Sequence, residues 1–455
     1  MTPATRSLRR LVDLPCLRAI RWPWLAIAAA TLAASARLLW IVDRYGVNLF
    51  FWDQWDYLDP LFRGDDLRTL FTWQHGPIRE GVGYLVIDGA YALSGWDTRS
   101  DGLTAVVAMT CAAILLLAVS RLLFGRLSAF DMIVPLCMLT SAAFEILVGT
   151  PNPAHGPVPI FLVAAFVLSL FIEQAWTRTL VASALTFAAV YTGFGVFLGL
   201  VAPVVFAAEA VRRPQERLAH LTGLVLGLLT MVSFFREYRH QPAVDCFQFP
   251  DPHPIRYIAF LGQIAIRPFS IFVHSPAGVV AAALGGLALV LVPALAGFRF
   301  LRRGDPLART VFVLSAFSLS FAAGSAVGRV CLGPTAAEAS RYVPYMAPAL
   351  VAGYFLLRSM PATRLRDAAL GCFLLACIVK EVRPEPGRRT YLEWLWRGKS
   401  AWADCFREKS DVAGCDAETG FRIHPLPEVT HLDRKLAYLR ERKLGLFKRL
   451  SSTAQ

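Results

Sequence analysis

The sequence predicts an all-α protein, a polytopic transmembrane helical bundle of about eleven spans with an amphipathic or re-entrant first outer loop and a small C-terminal soluble domain. Three observations carry this. The 455 residues are 56% hydrophobic and only 17% charged, with a mean hydropathy of +0.49, more apolar material than one soluble core could use. That material falls in Ala/Leu/Val/Phe runs of spanning length without the alternation of a barrel, and a spanning segment must satisfy its own backbone in lipid. The arginines recur in short turns between the runs.

The elements follow in order. The basic N-terminus (Arg6, Arg9, Arg10, Arg18, Arg21) is placed on the cytoplasmic side. The first run, Pro23 to Val42, leads into Asp43-Arg44-Tyr45 and not a small-residue cleavage site, so it is read as a retained helix. Further basic turns at Arg121/Arg126, Arg178, Arg212/Arg213/Arg217, Arg299/Arg302/Arg303 and Arg358/Arg364/Arg366 give a positive-inside pattern. The net charge of +13 is therefore distributed over turns, not pooled in a patch for nucleic acid. Spans are predicted at 23–42, 102–120, 131–150, 157–173, 179–191, 194–210, 219–234, 276–298, 309–327, 342–358 and 366–381. Tyr191-Thr192-Gly193-Phe194-Gly195 supplies the break between the fifth and sixth. The apolar core of the last, Ala368 to Val379, is short and also fits a buried or interfacial helix, which would leave the tail cytoplasmic. With an odd count the C-terminus lies outside, and the chain divides into a membrane domain (1–381) and a tail domain (382–455).

The outward segments are then 43–101, 150–156, 235–275, 328–341 and the tail. In the first, Leu58 to Phe71 is predicted as an amphipathic helix on the bilayer and Gly81 to Leu93 as a short re-entrant or surface helix, together roofing a cavity. In the tail, Tyr391 to Trp396 and Leu432 to Phe447 are amphipathic. Cys16, Cys111, Cys137, Cys372 and Cys377 lie in or near lipid as small apolar residues. Cys246, Cys331, Cys405 and Cys415 fall outward, and Cys405 with Cys415 is the candidate disulfide. The alternative is two free thiols in a cytoplasmic tail. No CxxC or His/Cys spacing suggests structural zinc.

Candidate chemistry gathers in the same segments. In Trp52-Asp53-Gln54-Trp55-Asp56-Tyr57, one helical turn places Asp53 and Asp56 on a common face, suited to general-base work or to holding a divalent cation, Mg or Mn. The bland alternative is helix capping beside an interfacial aromatic belt. Gln74-His75-Gly76-Pro77-Ile78-Arg79-Glu80 brings His75, Arg79 and Glu80 together at a helix start, where Glu80 could equally be a cap. Two late arginines, Arg329 and Arg341, the second followed by Tyr342, stand at outer span ends. There they call for an anionic partner: a substrate phosphate or, on the bland alternative, lipid headgroups or the loop aspartates. The turn 150–156 adds Asn152 and His155, with Glu145 near the end of its span.

This arrangement resembles the GT-C superfamily of integral membrane glycosyltransferases. Asp53-Gln54-Trp55-Asp56, Gln74-His75 with Arg79-Glu80, and Gly328-Arg329 with Ser340-Arg341-Tyr342 are similar to an uncharacterised bacterial branch whose first loop reads D-Q-W-D followed by a Q-x-E-H-R-like segment. Here Gly76-Pro77 stand where an acidic-histidine pair is expected, and the acid follows the arginine as Glu80. The resemblance implies an inner-membrane enzyme that takes a sugar from a polyprenyl-phosphate donor and passes it to a cell-envelope glycan, lipid or protein at the periplasmic face. Asp53 would serve as general base, with Asp56 and Glu80 as further catalytic candidates. His75, Arg79, Asn152, His155, Arg329, Arg341 and Tyr342 would bind substrate, and Asp53 and Asp56 would hold any metal. No Walker-type or Rossmann glycine motif calls for a nucleotide sugar. Rival readings are a transporter or flippase of lipid-linked sugars, expected to carry charges and broken helices at mid-membrane, an O-antigen-ligase-like transferase, expected to carry its basic groups and a His in one large late loop, and a structural scaffold.

Overall fold

The computed structural model describes residues 22–240, 244–383 and 385–448. The N-terminal arginines through Arg21, and Cys16, lie outside them. The fold is all-α, and its one β element among the described residues is a two-residue hairpin, β1 (Gln74–His75) with β2 (Ile78–Arg79). The main helices are α1 (Trp22–Tyr45), α2 (Gly81–Ser94), α3 (Arg99–Phe124), α4 (Pro157–Ser169), α5 (Ala175–Val190), α6 (Val196–Arg212) and α7 (Arg217–Phe235). They continue with α8 (Ile255–Ile266), α9 (Pro276–Arg303), α10 (Pro306–Arg329), α11 (Val343–Ser359) and α12 (Arg364–Val382), and end with α13 (Arg388–Lys409), α14 (Val412–Thr419) and α15 (Leu432–Glu441).

Among the described residues six helices are long and apolar enough to cross a membrane: α1, α3, α6 and α7 each with the turn before it, α9, and α10 with the turn after it. Apolar side chains outside the bundle, such as Leu32, Val232, Leu284 and Leu295, are exposed in rows, as expected of surfaces that meet lipid. One end of the bundle is held by arginines in the basic turns. Arg358 bonds Ser120, Asp131 and the Arg126 carbonyl, Arg178 pairs with Glu216, and buried Arg309 pairs with Glu209. The first loop sits at the other end, where Thr98 bonds Asn48 and Val47 at the start of α3.

Three expected elements differ. The predicted span 131–150 is broken into a helix at Ile133–Met138, a 3-10 turn at Ser141–Ala143 and a π-helical turn at Glu145–Gly149. The carboxylate of Glu381 accepts from Thr140 Oγ1 (2.6 Å), Ser141 Oγ (2.8 Å) and the Ser141 N–H (3.2 Å). Side chain-to-backbone bonding of this kind competes with the helical ladder. Leu58 to Phe71 forms two short helices, Asp59–Arg63 and Leu67–Thr72, because Gly64 turns left-handed (φ 68°) and Asp66 caps the second through the Thr69 N–H (2.8 Å). The segment 235–275, read as a loop, contains α8. Its residue Gly262 lies so close to α9 that a Cβ would fall 2.8 Å from the Ala282 carbonyl, a packing no composition rule reveals. The break at Tyr191-Thr192 between α5 and α6 is present as expected.

The first loop and the C-terminal segment form one body. Phe50, Trp55, Tyr57, Phe62, Tyr84 and Tyr91 share a buried cluster with Leu395, Trp402, Phe406, Ile423, Leu436 and Leu446. Polar ties join the same partners: Lys435 to Asp59 (3.0 Å), Lys448 to the Ser94 carbonyl (2.7 Å) and Gly445 N–H to the Gly95 carbonyl (3.1 Å). The boundary expected at 382 therefore separates segments in sequence whose cores are continuous in space. Cys405–Cys415 is a disulfide, and so is Cys246–Cys331, a pair the sequence spacing did not suggest. Alkylation of the denatured, unreduced protein should leave all four thiols unlabelled, and mass analysis showing any of them modified would contradict the pairing.

Candidate functional site

The five residues Asp53 to Tyr57 form a turn at the junction of loop, bundle and C-terminal segment. Trp52, just before it, adopts φ 52° and is exposed, a conformation rare for a bulky residue and common where surroundings enforce it. Its N–H donates to the Ile423 carbonyl (2.7 Å), which is what holds it.

Four of these five side chains are occupied. Gln54, fully buried, donates to Asp101 (3.1 Å) and to the Pro151 carbonyl (3.0 Å) and accepts from the Phe51 N–H (3.0 Å). Trp55 donates to the Phe50 carbonyl (3.0 Å), and Tyr57 to the Pro151 carbonyl (2.9 Å). Asp56 accepts from His424 Nε2–H (3.0 Å) and Thr430 Oγ1 (2.6 Å). The Leu426 N–H donates to His424 Nδ1 (3.0 Å), which selects the tautomer that points Nε2–H at Asp56. Burial raises the Asp56 carboxyl, but the His424 and Thr430 hydrogen bonds outweigh it and leave Asp56 below the usual carboxylate range.

Asp53 is the exception. It is exposed, and among the described residues its carboxylate makes no hydrogen bond or ion pair. Its charge is felt by His75 and by Arg341, so the three groups share one space. The structure thus parts the two aspartates expected to act together. Both oxygens of Asp56 are spent on the C-terminal domain, and among the described residues no group of three or more His, Cys, Asp or Glu side chains gathers to hold a cation.

The hairpin sorts the next motif by pleat. Gln74 and Arg79 are cross-strand partners and face one way, His75 and Ile78 the other. Gln74 clamps the backbone of Arg239 through both amide atoms (2.5 and 3.0 Å), and Arg79, buried, donates to the Arg236 carbonyl (2.7 Å). Arg79 is thereby committed to the end of α7 and not to the space beside Asp53. His75 faces Tyr57 and His155, with ring centroids 6.2 Å from each. Burial and the adjacent His155 hold His75 below the usual imidazole range, against the pull of Glu80, Asp53 and Asp56.

Glu80 lies beneath, its side chain wholly buried and 2.5 Å from His155 Nε2. The contact is close enough for an ion pair, yet among the described residues both Glu80 oxygens are without a hydrogen-bond partner. Asn152 caps its own turn through the Ala154 N–H (2.9 Å). The break at Tyr191 matters here, because its freed carbonyl accepts from Val82 and Gly83 (2.9 and 3.3 Å) and so fixes the start of α2 under the site.

Across from Asp53, Arg329 and Arg341 both approach the ring of Tyr342, at 5.8 and 5.7 Å from its centroid. Arg329 also donates to the Tyr342 hydroxyl (2.8 Å). Arg341 pairs with Glu145 (2.7 Å), and Ser340 and the Arg341 N–H bond the same carboxylate (both 3.3 Å). Burial would lower the Arg341 guanidinium, but Glu145, Tyr342 and Asp53 together outweigh it and keep Arg341 above its ordinary value. Two guanidinium groups thus face one carboxylate, and the patch keeps a net positive charge.

Sequence reasoning missed the residues of the tail that set the site: His424, Thr430, Lys435 and Lys399. No local signal could have found His424, which stands 368 positions from Asp56. Compared with family models, curated proteins and solved structures, the chain finds no match in any of the three.

Proposed function

We propose that the chain is a membrane glycosyltransferase of GT-C type. It would move a sugar, with inversion, from a polyprenyl-phosphate-linked donor to a cell-envelope acceptor at the periplasmic face of a bacterial inner membrane. The observation that carries this reading is that Asp53 alone, of the side chains in its turn, is left exposed and unspent, opposite a surplus of guanidinium charge at Arg329 and Arg341. A residue whose neighbours are all used structurally and which is not itself so used is the natural place for chemistry.

The topology supports the same reading. The first loop and the C-terminal domain share a core and so belong on one side of the membrane. In the proposed arrangement α12 also crosses, as one of the eleven expected spans, and the arginine-held end is cytoplasmic. Two disulfides at the loop end suit an oxidising compartment.

In the proposed reaction the Asp53 carboxylate takes the proton of an acceptor hydroxyl as that oxygen attacks the anomeric carbon. The bond from that carbon to the donor phosphate breaks on the opposite face, and Arg329 and Arg341 neutralise the departing phosphate oxygen. No step is routed through a metal. The transporter reading draws on the broken helix at Tyr191, but the carbonyl freed there is already engaged by Val82 and Gly83.

Replacing Arg341 by alanine should raise KM for lipid-linked donor by about tenfold or more, the loss expected for a charge-assisted bond. Unchanged donor kinetics would remove Arg341 from the phosphate site. The function itself is tested by comparing envelope glycans of cells with and without the gene. Identical glycans would sink it.

A further inference from the structure

Lys399, on α13, is buried to 2% exposure and among the described residues has no carboxylate partner. Its Nζ donates to the carbonyls of Gly149 (2.9 Å) and Val148 (3.2 Å) and lies 4.7 Å over the ring of Phe51. These contacts sit on two different walls of the site. Val148 and Gly149 close the π-helical turn whose first residue, Glu145, holds Arg341. Phe51 stacks on Phe421 and stands two residues before Asp53. A helical end leaves carbonyls unpaired, and an amine is a suitable cap for them.

We propose that Lys399 is a positioning residue, tying the support of Arg341 and the support of Asp53 to one amine so that base and guanidinium stay in register. The inference rests on reading Asp53 and Arg341 as the reacting pair. The charged and titratable groups on the elements packed against α13 include Glu145 on the π-helical turn, Asp53 on the loop, Asp43, Arg44 and Tyr45 at the end of α1, Asp416 and Glu418 on α14, and Tyr391 two turns before Lys399. None pairs with it. Glu145 is already committed to Arg341, and burial, with Glu145 adding to it, pushes the Tyr391 hydroxyl up to about 12.

The joint responds to pH. Burial alone pushes the Lys399 amine down from 10.5 to about 7. Between those values the unfolded chain binds a proton that the folded chain does not, so this residue makes stability rise with pH over that window. A neutral amine keeps two N–H donors, enough for the two carbonyls. Below about 7 the joint must hold a desolvated ammonium.

The test uses the full-length protein in detergent, as wild type, Lys399→Met and Lys399→Arg. Melting by intrinsic fluorescence from pH 6 to 10 should show a rise for wild type that is absent in both variants, since neither side chain titrates there. Sugar transfer from lipid-linked donor extracted from the native membrane should fall in Lys399→Met by about tenfold or more in kcat, with KM for donor changed less than about threefold. Its pH profile should lose the step near neutrality. Melting curves with the same pH dependence in all three proteins would overturn the joint. A variant with altered melting but wild-type kcat and pH profile would overturn the positioning role. If wild type melts as expected yet transfers no sugar, the transferase reading falls and the positioning role with it.

Discussion

Asp53→Asn should lower sugar transfer by about a hundred- to ten-thousandfold, the span over which a positioned general base contributes, while leaving the melting temperature within a degree or two of wild type. The second half of the expectation is the more diagnostic. Asp53 makes no side-chain hydrogen bond or ion pair among the described residues, so its amide replacement removes no structural contact. The neighbouring substitution Asp56→Asn should behave in the opposite way. It weakens the acceptor for His424 and Thr430 and so acts first on the docking of the C-terminal domain. Because the Asp56 carboxyl is held below the usual range, its contribution to stability is present above the unfolded carboxylate value and is lost only as pH falls through the lower folded value. An Asp53→Asn protein with full activity in a transfer assay would remove the catalytic assignment.

Trp55→Ala should destabilise the loop and C-terminal body by about 3–5 kcal/mol, the usual cost of truncating a large buried aromatic. Trp55 is completely buried, packs at 5.1 Å from Phe50 and 5.9 Å from Phe62 between ring centroids, and lies in the cluster that joins the first loop to α13 and α15. Loss of that cluster frees the C-terminal segment while the bundle persists. Limited proteolysis should then clip residues after α12 at low protease, with the membrane fragment intact. Wild-type resistance would show that the two segments do not depend on this shared core.

The membrane helices were legible because the bilayer imposes its demand on each segment alone. A run of apolar residues about the thickness of the hydrocarbon layer reads as a span wherever it occurs, and α1, α3, α7, α9 and α10 match their predicted positions closely. Failures came where a single distant group overrides a run. The Glu381 carboxylate interrupts the helix at Thr140 and Ser141, 240 residues away in sequence, and hydropathy cannot register it. Tyr191-Thr192-Gly193 was readable as a break, but its use as an acceptor for α2 was not.

The site divides in the same way. The amino acid order by itself determined which residue types stand at the loop end of the bundle: the acidic, aromatic turn at 53–57, the His75 hairpin, and arginines at 329 and 341. Only the tertiary structure decided what each is free to do. His424, Thr430 and Lys435 fold back from the tail to occupy Asp56 and Asp59, Glu145 takes Arg341, and Asp53 is what remains. The physical reason is that composition and periodicity fix how a segment meets its solvent, lipid or water, through its own residues. Whether a buried polar group is satisfied depends on partners brought from elsewhere in the chain.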